Sequence, residues 1–226
     1  MRRIILASKS KRRSAILKSC NIPHIVIPSG IREIHRDTKK PGALVVLNAK
    51  IKAEAVARKI KRGIIIGVDT LVLFRNRLAG KPRTKSEAKE MLKIFSGSRI
   101  VVYSGIFVID LDSSKESSGF DKTFLYIKEI PRRDLDKYFR LLGPYDKAGG
   151  FSIEGVGSIV FDDIRGSYFN VLGLPMMKLQ ELFHDIGLDL LAFARKPRDK
   201  SWGCSLKSEV SPLAEMAKRA SPKSRR

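Results

Sequence analysis

The stretch Gly63-Ile64-Ile65-Ile66-Gly67-Val68-Asp69-Thr70 places one carboxylate directly after a run of apolar, β-branched residues bounded by glycines. Such a run is typical of a strand buried within a sheet. Leu71-Val72-Leu73-Phe74 continues the apolar run, so Asp69 interrupts the strand and does not end it. A charge inside a buried strand is costly unless it is paired or binds a cation. We therefore predict a functional site at Asp69, with a turn or helix-capping role as the alternative for a short polar side chain.

The composition is that of a globular protein with one well-formed core. The chain has 226 residues, of which 43% are hydrophobic, and this excludes a disordered protein. No apolar run approaches the roughly 20 residues that a membrane span needs. Met1-Arg2-Arg3 is followed by only four apolar residues, too few for a signal sequence. We expect a cytoplasmic protein without membrane contact.

Positive charge is concentrated at the two ends of the chain. The formal net charge is +22, and residues 1–62 alone carry 17 basic against 3 acidic side chains. Residues 63–194 are nearly balanced, with 18 against 17, whereas residues 195–226 carry 10 against 3. We divide the chain into a domain at residues 1–190 and a basic, flexible tail at 191–226. Basic surfaces attract nucleic acid or the phosphates of a nucleotide, and composition does not separate these partners.

A candidate anion site lies near the N-terminus. Arg3–Ser8 reads as a short strand, and a helix is predicted from about Arg12 to Cys20. The segment between them, Ser8-Lys9-Ser10-Lys11-Arg12-Arg13, brings backbone N–H groups, hydroxyls and guanidinium groups to one helix start. This combination suits a phosphate. The alternative is a solvated basic helix start, which is disfavoured because cations there oppose the helix dipole.

The rest of the chain is predicted to contain further strands and helices. Among the predicted segments are a helix from Pro41 to about Lys61, long strands at 99–111 and 120–130 joined by the Ser/Gly-rich connection 112–119, a glycine-dense loop at 146–155, a strand at 158–164, and a last helix entered through 170–175. Glycines allow a loop to approach a ligand closely, so the loop at 146–155 is expected near the site.

Six blocks of the sequence together resemble the Maf family of nucleoside triphosphate pyrophosphatases. In chain order they are Leu6–Leu17, Asn48–Ala53, Gly67–Thr70, Gly80–Pro82, Asp146–Gly150 and Asn170–Pro175. The resemblance covers about residues 3–187, and Lys11 stands where the family signature has proline. It implies an α/β fold with a central mixed, twisted sheet that is flanked by helices and has a substrate cleft, often in a homodimer. It also implies hydrolysis of a nucleoside triphosphate to the monophosphate and pyrophosphate.

The resemblance also assigns roles to individual residues. Asp69 takes the place of the proton acceptor, and the polar groups that support it are Glu33, Lys52 and Lys81. Ser8, Arg12 and Arg13 fall on the phosphate-binding signature. A divalent cation, Mg²⁺ or Mn²⁺, would be held by Glu33 and Asp69, because carboxylates and phosphates are the oxygen ligands that such ions prefer. Arg12, Arg13, Lys52 and Lys81 would then neutralise the triphosphate.

Three positions sort substrates within this family. One subgroup, acting on dTTP and UTP, carries Arg, Thr and Gln, and another, acting on 7-methyl-GTP, carries Trp, Gln and Glu. Here the positions are Arg12, Thr70 and Glu154. The first two match the pyrimidine subgroup, whereas the carboxylate of Glu154 only accepts hydrogen bonds and favours base edges rich in N–H groups. The resemblance therefore predicts dTTP, UTP or a modified nucleotide as substrate.

Two other functions remain open. The basic ends could make this a nucleic-acid-binding protein with weak or no catalysis, although Trp202 is the only aromatic residue after 195 and base-stacking surfaces are therefore poor. The tail could instead dock a partner protein while the domain acts as an ordinary enzyme.

Overall fold

The computed structural model describes residues 2–142, 150 and 153–196, which form an α/β fold around one mixed sheet. The strands are β1 (Ile4–Leu6), β2 (His24–Val26), β3 (Ile64–Phe74), β4 (Arg77–Leu78), β5 (Arg99–Asp110), β6 (Lys115–Ile127) and β7 (Phe161–Arg165). The α-helices are α1 (Lys11–Ser19), α2 (Pro41–Ala57), α3 (Lys85–Phe95), α4 (Leu135–Leu141), α5 (Tyr168–Leu172) and α6 (Met176–Asp185). The predicted fold class is confirmed.

The sheet has the strand order β2-β1-β3-β5-β6-β7, and the short β4 pairs with the end of β3. β1 is parallel to β2 and to β3, whereas the remaining pairs are antiparallel. β3 is therefore an interior strand, and nine of its eleven residues are buried. Asp69 lies within this strand, paired with Gly105 of β5, as predicted from the continuous apolar run.

Successive residues of β3 face opposite sides of the sheet. Ile64, Ile66 and Val68 contribute to the larger core, which helices α1, α3 and α6 complete. Ile65 packs on the other side against helix α2. Asp69 lies four residues after Ile65, and residues at an even spacing share one face of a strand. Its carboxylate is therefore directed towards α2.

Two glycines allow α2 to lie close to the sheet. A Cβ atom at Gly67 would lie 2.1 Å from the carbonyl oxygen of Ala49, and one at Gly105 would lie 2.4 Å from the carbonyl carbon of Val45. Both contacts are with backbone atoms, which no change of side-chain rotamer can move. The glycines therefore set the distance between the helix and β3 and, with it, the reach of the side chains that α2 directs at Asp69.

The prediction that residues 112–119 form a connection outside the strands is wrong for most of that segment. β6 already begins at Lys115 and pairs with β5 from that residue onward. The turn is short because Asp110 closes it: the backbone N–H of Asp112 donates to Oδ1 (3.1 Å) and the Ser113 hydroxyl to Oδ2 (2.5 Å). Ladder hydrogen bonds come from the backbone, so polar Ser and Gly residues at the surface do not prevent a strand.

The segments after the predicted loop also differ from expectation. Residues 155–160 form a 3₁₀ helix, which the Ser158 hydroxyl closes by donating to the Gly155 carbonyl (2.7 Å), so the strand begins only at Phe161. The predicted last helix is confirmed as α6, but residues 168–172, which end at Gly173 with φ of 95°, form the additional short helix α5 that was not predicted. Most of the predicted loop at 146–155 lies outside the described residues.

Within the described part of the chain, no helix has the length and apolar character to cross a membrane. Residues 190–193 form a 3₁₀ helix, whose Phe193 ring packs edge-on against Phe183 at 5.9 Å. Residues beyond 196 lie outside the described ranges, so the flexible tail stays a prediction.

Replacing Gly67 by alanine is predicted to separate α2 from β3. The added Cβ would meet the Ala49 carbonyl at 2.1 Å, and overpacking of this kind costs about 3 kcal/mol. Denaturant unfolding should show this loss in Gly67→Ala. The control is Gly80→Ala, because a Cβ at Gly80 meets no atom within 4 Å. Equal stabilities for the two variants would contradict the close approach of α2.

Candidate active site

The side chain of Lys52 lies between two carboxylates. Its Nζ is 2.6 Å from Oδ1 of Asp69 and 2.6 Å from Oε1 of Glu33, and it also donates to the carbonyl oxygen of Val68 at 3.1 Å. An ammonium group has three N–H donors, so these three acceptors satisfy it. The structure thus brings together the side chains of Asp69, Glu33 and Lys52, which the sequence analysis assigned to one site.

The burial of these groups is unequal. The side chains of Lys52 and Asp69 are 6% and 3% exposed, whereas that of Glu33 is 38% exposed. Two carboxylates and one ammonium leave the cluster with one net negative charge. Removing one partner from a buried ion pair leaves an uncompensated charge, so the Lys52–Asp69 contact is a strong constraint on the structure.

Lys52 controls the ionisation of Glu33. Partial burial alone would raise the pKa of the Glu33 carboxyl, and this is the largest single effect. The hydrogen bond and charge of Lys52 oppose it, with smaller help from His35 and Arg13, and together they hold the pKa below its ordinary value. Glu33 is therefore an anion at neutral pH.

Asn48 is a site residue to which the sequence analysis assigned no role. Its Nδ2 donates to Oδ2 of Asp69 (2.9 Å) and to the carbonyl oxygen of Ile34 (3.0 Å), while its Oδ1 accepts from the backbone N–H of Ile34 (2.9 Å). One buried amide thus orients Asp69 and fixes the loop that carries Glu33. Its position one helical turn before Lys52, on the same face of α2, was the available signal.

Four protein acceptors bind the guanidinium of Arg13. Its Nε donates to the Gly173 carbonyl (2.8 Å), Nη1 to the Ser8 hydroxyl and the Val68 carbonyl (3.0 Å each), and Nη2 to the Thr70 hydroxyl (2.9 Å). These bonds use four of the five N–H groups of a guanidinium. Arg13 therefore connects the segment after β1, strand β3 and the turn after α5.

Burial is the largest effect on Arg13 and lowers the pKa of its guanidinium; Asp69 and Glu33 oppose this effect, and Arg12 adds to it. The group stays charged, because an arginine pKa lies far above neutral pH. Its network continues through Thr70, whose hydroxyl lies 2.9 Å from that of Ser104.

A cavity of about 680 Å³ opens over these groups. Its polar wall contains Ser8, Arg12, Arg13, Glu33, Asp69 and Lys81. Its apolar wall includes Val72, Leu92, Phe95, Val102, Leu125 and Val160. Lys52 and Asn48 do not line this cavity. Lys52 binds both carboxylates and Asn48 binds Asp69 from the α2 side. The cavity thus offers cations and carboxylates at one side and an apolar surface for a flat ring at the other.

The three predicted specificity residues lie near one another but not in one wall. Arg12 and Thr70 line the cavity, whereas Glu154 lines an adjacent groove that shares Ile153 and Phe161 with it. Arg12 Nε lies 3.6 Å from Oε2 of Glu154, so an ion pair connects the two spaces. Lys81 lies on the cavity rim with its side chain exposed.

An α/β fold whose cavity combines a basic rim, paired carboxylates and an apolar wall defines a protein that binds a small phosphorylated molecule. The sequence matches the family described as Maf-like protein over residues 3–186, and the chain belongs to this family.

Similar proteins carry a functional name. A Methanosarcina barkeri protein named dTTP/UTP pyrophosphatase is 37% identical over 191 residues, which are 84% of this chain and 97% of that protein. Proteins of the same name from Caldicellulosiruptor saccharolyticus and Bacillus cereus are 35% and 37% identical, each over 84% of this chain and 98% of their own length. The resemblance found in the sequence is thus confirmed.

Replacement of Lys52 by methionine is predicted to destabilise the protein. Asp69 would remain buried without its counter-charge, which costs about 3–5 kcal/mol. Adding Asp69→Asn should restore part of this loss, because the double variant no longer buries an unpaired charge. Thermal or denaturant unfolding of the two single variants and the double variant measures this coupling. Strictly additive effects would show that the two side chains do not depend on each other.

Proposed function

We propose that this protein is a nucleoside triphosphate pyrophosphatase, which hydrolyses a ribo- or deoxyribonucleoside triphosphate to the monophosphate and pyrophosphate. The observation that carries the proposal is the pair of carboxyl groups, Glu33 and Asp69, that Lys52 joins in the wall of a cavity with a basic rim. The relatives named dTTP/UTP pyrophosphatase support the same reaction. The substrate would be dTTP, UTP or a modified nucleotide whose removal protects the nucleotide pool.

In the proposed reaction a water oxygen attacks the α-phosphorus and the bond from that atom to the bridging oxygen breaks. The electron pair of this bond leaves with pyrophosphate, and the proton of the water passes to Asp69 as general base. Each oxygen of Asp69 accepts one protein N–H, from Lys52 or Asn48, which leaves a lone pair on each oxygen for water. Asn48 and Lys52 therefore orient the base without blocking it.

The charge of the triphosphate requires cations on the cavity wall. Arg12 and Lys81 line the cavity, and neither is enclosed by protein acceptors as Arg13 is. We assign them the phosphate contacts, while Arg13 and Lys52 contribute mainly by holding Ser8, Thr70 and the carboxylates in place. Cations fixed where negative charge develops lower the barrier to phosphoryl transfer.

The donor set fits a divalent cation that is shared with the substrate. The described residues contain no group of three or more His, Cys, Asp or Glu placed to hold a metal ion, so a cation here would take most of its ligands from phosphates and water. Mg²⁺ is commonly bound in this manner, by one or two carboxylates and substrate phosphates, and Mn²⁺ accepts the same oxygen ligands. Glu33 and Asp69 would be its protein ligands, and the ion would neutralise charge on the phosphates.

The preferred base depends on the mouth of the cavity. Thr70 is fixed by Arg13 and Ser104, whereas Glu154 is held beside Arg12. A carboxylate accepts the N–H of a uracil or thymine ring but donates nothing to the neighbouring carbonyl, which a glutamine amide would serve. Glu154 should therefore weaken selection for dTTP and UTP relative to a chain with glutamine at that position.

Asp69→Asn is predicted to keep the fold and most nucleotide binding but to lose turnover by orders of magnitude, because the amide cannot accept a proton from water. Pyrophosphate release in the presence of Mg²⁺ measures the rate, and equilibrium binding of a non-hydrolysable analogue measures affinity. Glu54→Gln is the control, since Glu54 lies on α2 in an exposed pair with Lys50. Near-normal turnover in Asp69→Asn would refute the role of Asp69.

Glu154→Gln is predicted to raise kcat/KM for dTTP and UTP by about tenfold relative to CTP and GTP, which is the effect of one added hydrogen bond. A panel of ribo-, deoxy- and modified nucleoside triphosphates, with pyrophosphate resolved from orthophosphate, tests this. Asp162→Asn is the control, because Asp162 lines the same groove. An unchanged ranking of the bases would show that Glu154 does not select the base.

A further inference from the structure

A second concentration of positive charge lies at the far end of the strands from the cavity. β1 and β3 are parallel, and the Ile64 N–H donates to the Arg3 carbonyl at 2.8 Å, so Arg3 and the turn before β3 meet at the N-terminal ends of these strands. Ser8 follows the opposite end of β1. Asp69 lies five residues further along β3 than Ile64, which corresponds to about 17 Å of strand.

Five exposed cations form this surface, which we call the basic end. They are Arg3, Arg58, Lys59, Lys61 and Arg62. Four of them lie in the short turn that connects α2 to β3, and Arg3 joins them through the pairing of β1 with β3. None of the five forms an ion pair with a carboxylate of the described residues.

Carboxylates of the neighbouring elements are already bound by other groups. Glu54, one helical turn before Arg58, pairs with Lys50 at 3.8 Å. Asp110, at the end of β5, is fully buried and accepts from Arg2 at 2.8 Å and from Ser113. Asp112 accepts the backbone N–H of Gly63 at 3.0 Å. Asp110 and Asp112 therefore compensate Arg2 and the backbone, and the five cations of the basic end have no carboxylate partner among the described residues.

Local helix stability does not explain the cluster. The last turn of α2 contains no basic residue, but Arg58 is its C-cap residue and Lys59 follows, so both lie next to the negative end of the helix dipole, which attracts cations. Lys61 and Arg62 lie beyond the helix, where the dipole no longer acts. Like charges held together repel one another, whereas a bound polyanion would turn the same arrangement into a gain in free energy.

We propose that the basic end binds the phosphodiester backbone of nucleic acid without sequence preference. Guanidinium and ammonium groups are the usual phosphate contacts in such complexes. The only large apolar residue of the turn, Ile60, packs against the core cluster that includes Ala53 and Val56. The turn therefore offers neither a ring for base stacking nor an apolar anchor for a lipid surface. Binding through charge alone predicts a steep dependence on salt.

This surface and the cavity lie at opposite ends of β1 and β3, so nucleic acid and a nucleotide can bind together. The proposal is independent of the hydrolytic function. Fluorescence anisotropy of a labelled RNA oligonucleotide and a labelled DNA duplex, titrated over a range of NaCl concentrations, tests it on the full chain. The test variant replaces Arg58, Lys59, Lys61 and Arg62 by glutamine.

The matched control replaces two arginines and two lysines elsewhere by glutamine, at the exposed positions Lys85, Arg132, Lys137 and Arg140. Net charge then changes equally in both variants. Loss of four phosphate contacts should lower the slope of log Kd against log salt by about 3.6 for the duplex in the test variant, with at least about tenfold weaker binding at low salt. The control variant should lose far less, and nucleotide hydrolysis should be the same in all three proteins.

Three results would overturn the proposal. Equal losses in the two variants would mean that net charge, and not this surface, attracts the nucleic acid. Displacement of the RNA by a non-hydrolysable nucleoside triphosphate would place its binding in the cavity. Stronger binding of the basic end to vesicles containing anionic phospholipid than to either nucleic acid would identify a membrane surface as its partner.

Discussion

The ion pair between Lys52 and Asp69 is the interaction on which the site depends. A carboxylate inside an interior strand is tolerable only because a buried ammonium lies 2.6 Å away. That ammonium reaches it because Gly67 and Gly105 let α2 lie against the sheet. Glu33, on a loop after β2, is then drawn to the same nitrogen. A strand, a helix and a loop are thus fixed by one cation.

The arginines and lysines of the first 62 residues have different functions. Arg13 and Lys52 are enclosed, and their hydrogen bonds go to protein groups, so they hold the site together. Arg12 lies at the cavity mouth beside Glu154, where it can meet a substrate. The cluster from Arg58 to Arg62 lies at the other end of the strands. One excess of positive charge in the sequence therefore corresponds to three separate physical roles.

Much of this site could be predicted from the sequence, and the features that the prediction missed have clear physical causes. Asp69 was identified because a charge in a continuous apolar run has few explanations. Asn48 was missed because its function depends on hydrogen bonds to Ile34 and Asp69, which are distant in sequence. The early start of β6 was missed because Ser and Gly favour turns locally, whereas pairing with β5 decides the outcome.

The sequence by itself determined the alternation of strands and helices, the position of Asp69 in a buried strand and the membership of the family, because these depend on local periodicity and on motifs of fixed spacing. Only the tertiary structure decided that Lys52 lies behind the two carboxylates, that Arg13 is enclosed, and that Glu154 pairs with Arg12 beside the cavity. Those facts depend on which residues of distant segments come within hydrogen-bond distance, and that is set by the packing of α1 and α2 on the sheet.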